Sequence, residues 1–171
     1  MNAYIDRVDS PAGPLDFAVD DAGALLRAQF VEGEYGHSLV DDLESGGFQV
    51  REDPRRTAGV REQLIEYGSG SRRQFDMPLA LSGTAWQIAV WNELMRIPYG
   101  ETRTYGQIAA AMGRPGAARA VGRANATNRI PLVIPCHRVI GTNGSLTGFA
   151  GGVHLKNRLL AHENQALARA S

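Results

Sequence analysis

Hydrophobic and polar positions change their rhythm partway along this chain. In the first third they alternate. Tyr4-Ile5-Asp6-Arg7-Val8 and Leu15-Asp16-Phe17-Ala18-Val19 follow the period of two of half-buried strands, and residues 25–31 give a third. Ser10-Pro11-Ala12-Gly13-Pro14 and Asp20-Asp21-Ala22-Gly23 separate them as turns, because Pro fixes φ and Gly permits positive φ. The expectation is a small antiparallel meander. Residues 32–58 are acidic and weakly patterned, which reads as a loop with one short helix. Val60, Leu64 and Tyr67 stand at i, i+4 and i+7, the spacing of a short amphipathic helix. Residues 75–81 read as a last strand, and Ser82-Gly83 marks a boundary.

From Thr84 the pattern becomes helical. Thr84 and Gln87 form a T-x-x-Q capping box, and Ile88, Trp91 and Met95 would line one face of the helix that follows. Thr104 and Gln107 repeat the box and open a second helix through Met112. Gly113-Arg114-Pro115-Gly116 breaks it, and a third helix runs over residues 117–126. Two helices joined by a tight Gly-containing turn match helix-turn-helix spacing. The glycine-rich stretch 141–152 suggests a loop or wing, and residues 155–162 form a last helix. The chain therefore reads as α+β, with a small α/β domain over 1–82 and a helical domain over 83–171.

Charge sharpens that division. The 171 residues balance 18 Lys and Arg against 18 Asp and Glu. Residues 1–83 carry 8 Arg against 15 acids, a net of −7, and residues 84–171 carry 9 Arg and 1 Lys against 3 acids, a net of +7. Either the two halves attract each other, or the basic half meets a polyanion such as nucleic acid. No apolar run approaches the ~20 residues of a bilayer span, and the N-terminus lacks a signal pattern. The lone Cys136 makes neither an internal disulfide nor a cysteine zinc cage, so a reducing cytoplasm is expected.

Two segments could carry chemistry. Gly116-Ala117-Ala118-Arg119-Ala120-Val121-Gly122-Arg123 has tiny side chains apart from two arginines four apart. Small residues suit close helix packing, and equally a helix lying against a nucleic-acid backbone. The large side chains usual in major-groove readout are missing. The second segment is Ile134-Pro135-Cys136-His137-Arg138-Val139. A lone cysteine is commonly a buried apolar residue. Cationic neighbours would lower its pKa, and Cys with His is the minimal activated nucleophile. A carboxylate usually orients the imidazole, and Glu163 is the sole acid after Glu101.

Pro135-Cys136-His137-Arg138-Val139, with Arg119-Ala120-Val121-Gly122 before it and Gly151-Gly152 after it, resembles the methylated-DNA–protein-cysteine methyltransferase family, the O6-alkylguanine-DNA alkyltransferases. Ile97-Pro98-Tyr99-Gly100-Glu101-Thr102, then Thr104-Tyr105, and Lys156-x-x-Leu159-Leu160-x-x-Glu163 resemble it at corresponding spacing, as does Ser10-Pro11-x-Gly13-Pro14-Leu15. The resemblance spans essentially the whole chain and is strongest over residues 84–163.

The resemblance implies a ribonuclease-H-like N-terminal domain and a winged helix-turn-helix C-terminal domain. It implies a monomer that binds double-stranded DNA carrying O6-alkylguanine and flips the damaged base out of the stack. The alkyl group, from O6-alkylguanine or O4-alkylthymine, would pass irreversibly to Cys136 without metal or cofactor. His137 would act as base through a water and Glu163 would orient it. Tyr105 would assist rotation of the nucleotide and hydrogen-bond the base, with Lys156 supporting it. Asn128 would hold the turn before the active-site segment. Arg119 would fill the gap in the duplex, with Ala118, Gly122 and Arg123 on the DNA-binding helix. Val139, Gly148, Phe149 and Lys156 would line the pocket.

The chain departs from the family pattern in places. Phe149 stands where Tyr is frequent, Trp86 where Phe is frequent, suggesting a core exchange, and Arg129 where Pro is frequent. The cysteine-rich module of some relatives is absent. A damage sensor, a winged-helix regulator and a Cys-His hydrolase are the rival readings. The first lacks the acceptor cysteine, and the second needs larger side chains on the third helix.

Overall fold

The computed structural model describes residues 1–147, 149 and 151–171. The chain divides into two compact units, Met1–Leu81 and Ser82–Ser171.

In the first unit, β1 (Asn2–Ser10), β2 (Gly13–Val19) and β3 (Leu25–Phe30) form the antiparallel meander. Gly13, at φ 96°, closes the first hairpin, and the Asp20 carboxylate caps the second turn by accepting the Ala22 and Ala24 amides. The acidic stretch contains more structure than its sequence suggests. Ser38 and Asp41 form a capping box that opens α1 (Leu39–Ser45), and β4 (Gln49–Glu52) then pairs parallel with β1. The sheet is thus mixed, in the order β3-β2-β1-β4. Of the four β4 residues only Val50 is even half-buried, so an edge strand this polar shows no alternation to read. Residues 75–81 do not make a strand: Leu79 contributes one isolated bridge to Leu25.

Alternation assigns the two faces of this sheet. Ala3, Ala18 and Leu26 pack with Leu39 and Leu43 of α1. On the other face lies α2 (Pro54–Ser69), capped by Asp53 with Pro54 in its first turn and burying Val60, Leu64 and Tyr67. Asp6 of β1 accepts hydrogen bonds from Thr57 and Arg61 of α2, so its inward carboxylate is paired.

The second unit is mostly helical. Both sequence-read capping boxes form: Thr84 with Gln87 opens α3 (Ala85–Leu94), and Thr104 with Gln107 opens α4 (Tyr105–Ala111). The buried residues of α3 are Val90, Trp91 and Leu94, rather than a face running through Ile88 and Met95. This helix is apolar nearly all round, so periodicity could not single out the packed side. After a tight turn comes α5 (Ala118–Ala126), against which α3 and α4 pack. The two tryptophans of α3 fasten it to α5: Trp86 Nε1 donates to the Ala120 carbonyl at 3.2 Å and Trp91 Nε1 to that of Ala124 at 2.8 Å. Trp86 is only half-buried, with the Arg114 guanidinium 5.5 Å from its ring centroid, so it is not a core exchange. Strands β5 (Arg103–Thr104) and β6 (Val139–Ile140) pair parallel. The last helix, α6, runs over Val153–Ala170, eight residues beyond the expected end at His162.

Among the described residues no helix is long and apolar enough to cross a membrane.

Candidate active site

The segment that delivers Cys136 is set by an asparagine clasp. As α5 ends, the buried Asn128 accepts the Ile130 amide at 2.9 Å and donates to the Ile134 carbonyl at 3.0 Å. It thereby closes the loop between them. Inside that loop Leu132 is fully buried at φ 76°, alone among described non-glycine residues in having positive φ. A branched side chain in the left-handed region is strained and persists only where its surroundings hold it. The chain then enters one turn of 3-10 helix, Cys136–Arg138, and all of residues 131–139 are buried.

Burial dominates the Cys136 thiol. It pushes the pKa up to about 11, against hydrogen bonding by the Asn128 side chain, the charge of Lys156, and the backbone at Cys136 and His137. This corrects the expectation that cationic neighbours would lower it, for the nearest guanidinium is engaged elsewhere. Arg138 donates Nε and Nη2 to the Glu163 carboxylate at 3.0 and 2.8 Å, and Nη1 to the Ile97 carbonyl at 2.8 Å. Its partner was not visible in the sequence, where Arg138 simply stands two residues from the cysteine.

Glu163 sits at the centre of this network. Helix α6 turns Leu155, Lys156, Leu159 and Glu163 inward, so the acid continues an apolar stripe at spacings of four. His137 Nε2 lies 2.8 Å from Glu163 Oε1, and the Gly100 amide donates to Oε2 at 3.1 Å. Gly100 sits at φ 78°, where a side chain is strained, and a Cβ there would also push against the Leu167 side chain. Burial alone would raise the Glu163 pKa, but His137 and Arg138 outweigh it and hold the carboxyl well below its usual range. Burial, helped by the charges of Arg138 and Lys156, lowers His137 against the pull of Glu163. Since an ionised carboxylate only accepts, the neutral imidazole carries its proton on Nε2. Nδ1 is left bare, buried and without a hydrogen-bond partner among the described residues.

Tyr105 and Lys156 meet at one oxygen. The Tyr105 hydroxyl donates to the Thr147 carbonyl at 2.8 Å and the Lys156 Nζ to the same carbonyl at 2.9 Å. Burial raises the hydroxyl above its ordinary value despite that bond, so Tyr105 keeps its proton. Lys156 is fully buried, and desolvation pushes it down to about 8 against the pull of Cys136. Val139 and Phe149 are buried nearby in sequence, while Gly148 lies outside the described residues. Among those residues no group of three or more His, Cys, Asp or Glu side chains is placed to hold a metal ion.

The small-residue helix presents a different surface. On α5, Arg119 and Arg123 are exposed while Ala118 and Gly122 are half-buried. A Cβ on Gly122 would lie 3.8 Å from the Tyr105 ring, which connects the helix to the residue opening α4.

Comparison with known proteins agrees with this geometry. Residues 85–165 match the family model for the 6-O-methylguanine DNA methyltransferase DNA-binding domain. A methylated-DNA–protein-cysteine methyltransferase of Mycolicibacterium paratuberculosis is 47% identical over 158 residues, covering 92% of this chain and 90% of the relative. One of Methanosarcina acetivorans is 45% identical, covering 94% and 97%. The solved structure of Mycobacterium tuberculosis OGT in complex with DNA superposes with a TM-score of 0.83 at 42% identity, covering 95% of this chain and 94% of that one. With a mixed α/β fold in common and nearly half of its residues identical over most of its length, the chain belongs to the methylated-DNA–protein-cysteine methyltransferase family.

Proposed function

We propose that this protein repairs DNA by direct reversal, taking the alkyl group of O6-alkylguanine onto Cys136 in a single, irreversible turnover. One observation carries the reading: the only cysteine of a family member lies buried in a turn whose next residue is an imidazole that a buried carboxylate orients. An alkyl carbon on oxygen is a soft electrophile suited to a thiolate. The Sγ–C bond forms as the C–O6 bond breaks, and the bonding pair leaves with guanine. The thiol proton passes through a water to the bare Nδ1 of His137, as base catalysis requires. The Tyr105 hydroxyl, still protonated, turns its one proton from the Thr147 carbonyl to the departing guanine and regains a proton through solvent as His137 gives up the one taken from the thiol. The resulting thioether has no ready leaving path, so each molecule acts once. O4-alkylthymine presents the same electrophile and is a second substrate.

The target base must leave the stack to reach a cysteine this buried. Arg119, exposed on α5, replaces it in the duplex, while Ala118, Gly122 and Arg123 lie along the DNA. Asn128 holds the turn, Lys156 fixes Tyr105 through Thr147, and Val139, Gly148 and Phe149 line the pocket. We read residues 1–82 as a ribonuclease-H-like domain, supported by the mixed four-stranded sheet with its helices. Residues 83–171 are read as a winged helix-turn-helix domain, supported by α4, its tight turn and α5. The proposed machinery all lies in the second unit, so one chain suffices and the protein acts as a monomer. A reducing cytoplasm suits its single thiol. Incubation with duplex DNA carrying O6-methylguanine tests the reading: one repaired base per protein, without added metal, is expected, and turnover beyond one equivalent would contradict it.

A further inference from the structure

We propose that Arg138 is a positioning residue for alkyl transfer: by neutralising Glu163 it reserves His137 as an uncharged imidazole with Nδ1 bare. The inference rests on the alkyl-transfer reading and adds a role for a side chain that this reading leaves idle.

Glu163 and His137 are fully buried, and Arg138 is 6% exposed. A buried carboxylate requires a counter-charge. His137 at 2.8 Å and Arg138 through its two-pronged contact are both placed to provide it. If the imidazole provided it, His137 would be an imidazolium with protons on both nitrogens and could accept nothing from Cys136. The guanidinium cannot lose its proton, so it settles the matter permanently. Once Arg138 has neutralised Glu163, a proton on His137 would be an additional buried charge. Lys156 adds to that cost from the same helix as Glu163, and both cations oppose protonation of His137. The charged groups acting on the imidazole are therefore Glu163 and Lys156 from α6 and Arg138 from its own turn.

The geometry of Arg138 is built to fix this arrangement. Its Nη1 is anchored to the Ile97 carbonyl, its centre lies 5.5 Å from the Tyr99 ring centroid, and the Gly100 amide reaches the same carboxylate. The Ile97–Gly100 segment thus holds both partners of the ion pair. His137 shares Glu163 Oε1 with the guanidinium and donates its Nε2 proton there without surrendering its neutrality.

The test begins with the unaltered protein. Nitrogen-15 NMR of its imidazoles at neutral pH should show His137 neutral, with the proton on Nε2. An imidazolium, or the other tautomer, would overturn the proposal without any variant having to fold. In R138M the pair should take up one proton near neutral pH. The single-turnover transfer rate at pH 7 should then fall by about 10-fold or more and recover as pH rises. R138K, which restores the charge, should restore the neutral imidazole and the parent pH profile. Binding to methylated duplex should persist in each variant made on a Cys136→Ser background. A loss of rate that is equal at every pH, with His137 still neutral in R138M, would make Arg138 merely structural. If the unaltered protein transfers no alkyl group at all, the functional reading fails, whereas the NMR comparison with R138M still decides whether Arg138 keeps His137 neutral.

Discussion

Nε2 of His137 lies 2.8 Å from Oε1 of Glu163, two fully buried side chains 26 residues apart in the chain. The contact joins the turn carrying Cys136 to the last helix. It gives a neutral imidazole one fixed proton and one bare nitrogen, and it makes the stability of the fold depend on pH.

Replacing the acid separates these two consequences. Glu163→Gln leaves Arg138 buried without its counter-charge, which should cost about 3–5 kcal/mol in urea denaturation. The pH dependence has a definite sign. Glu163 is held below its unfolded value of ~4.3 and His137 below ~6.5. For both groups the unfolded chain binds protons more readily as pH falls, so their contribution is complete above the unfolded values and is lost on acidification. Stability of the parent protein should decline below about pH 7 through His137 and further below about pH 5 through Glu163, and that second decline should be lost in Glu163→Gln. Parallel curves would mean that the pair does not govern acid sensitivity.

The thiol makes a second prediction. With Cys136 pushed up to about 11 by burial, the free protein should react slowly with iodoacetamide at neutral pH. Its rate should climb about tenfold per pH unit toward pH 10. His137→Ala should slow transfer from DNA far more than it changes this small-reagent profile. A plateau near pH 7 in the parent protein would show a thiolate already formed, and burial would not be the controlling influence.

Asn128 spans the loop that ends at the cysteine. Asn128→Ala removes its bonds to Ile130 and Ile134 and frees the strained Leu132. Loss of two buried hydrogen bonds should lower stability by about 2–3 kcal/mol. It should also raise hydrogen exchange at residues 130–136 more than in α3. Uniform exchange through the second unit would assign Asn128 to general packing.

Much of this was legible in the sequence because it is local. The turns at Gly13 and Gly23 and the capping boxes at Thr84 and Thr104 each depend on residues within four positions of one another, and all of them form. What stayed hidden depends on distant partners. The edge strand β4 has a single apolar residue, Val50, and its pairing to β1 is decided by the sheet. Helix α6 runs past the end its apolar pattern predicts, because Glu163 interrupts that pattern while being buried on the same face as Leu159. Arg138 was assigned to its sequence neighbour Cys136, whereas the fold gives it to Glu163. The shared Thr147 acceptor of Tyr105 and Lys156 required a loop whose sequence carries no periodicity.

Arg119 and Arg123 are both exposed on α5, yet only Arg119 is assigned to the vacated base position. A phosphate contact weakens binding uniformly and changes the salt slope by ~1. A side chain that fills the duplex should lower the yield of flipped complex instead. Arg119→Ala should therefore slow transfer from duplex DNA much more than from free O6-alkylguanine, while Arg123→Ala should alter mainly salt dependence. Equal loss on both substrates in Arg119→Ala would remove the base-replacement role.

The central claim is that Cys136 is the acceptor, and mass spectrometry tests it most directly. After incubation with excess O6-methylguanine duplex, the intact protein should gain the mass of one CH2 group, mapped to the peptide containing Cys136. Repaired guanine should stop at one equivalent, and Cys136→Ser should bind the lesion without gaining mass. An unmodified protein, a methyl group on another residue, or repair continuing past one equivalent would contradict the account.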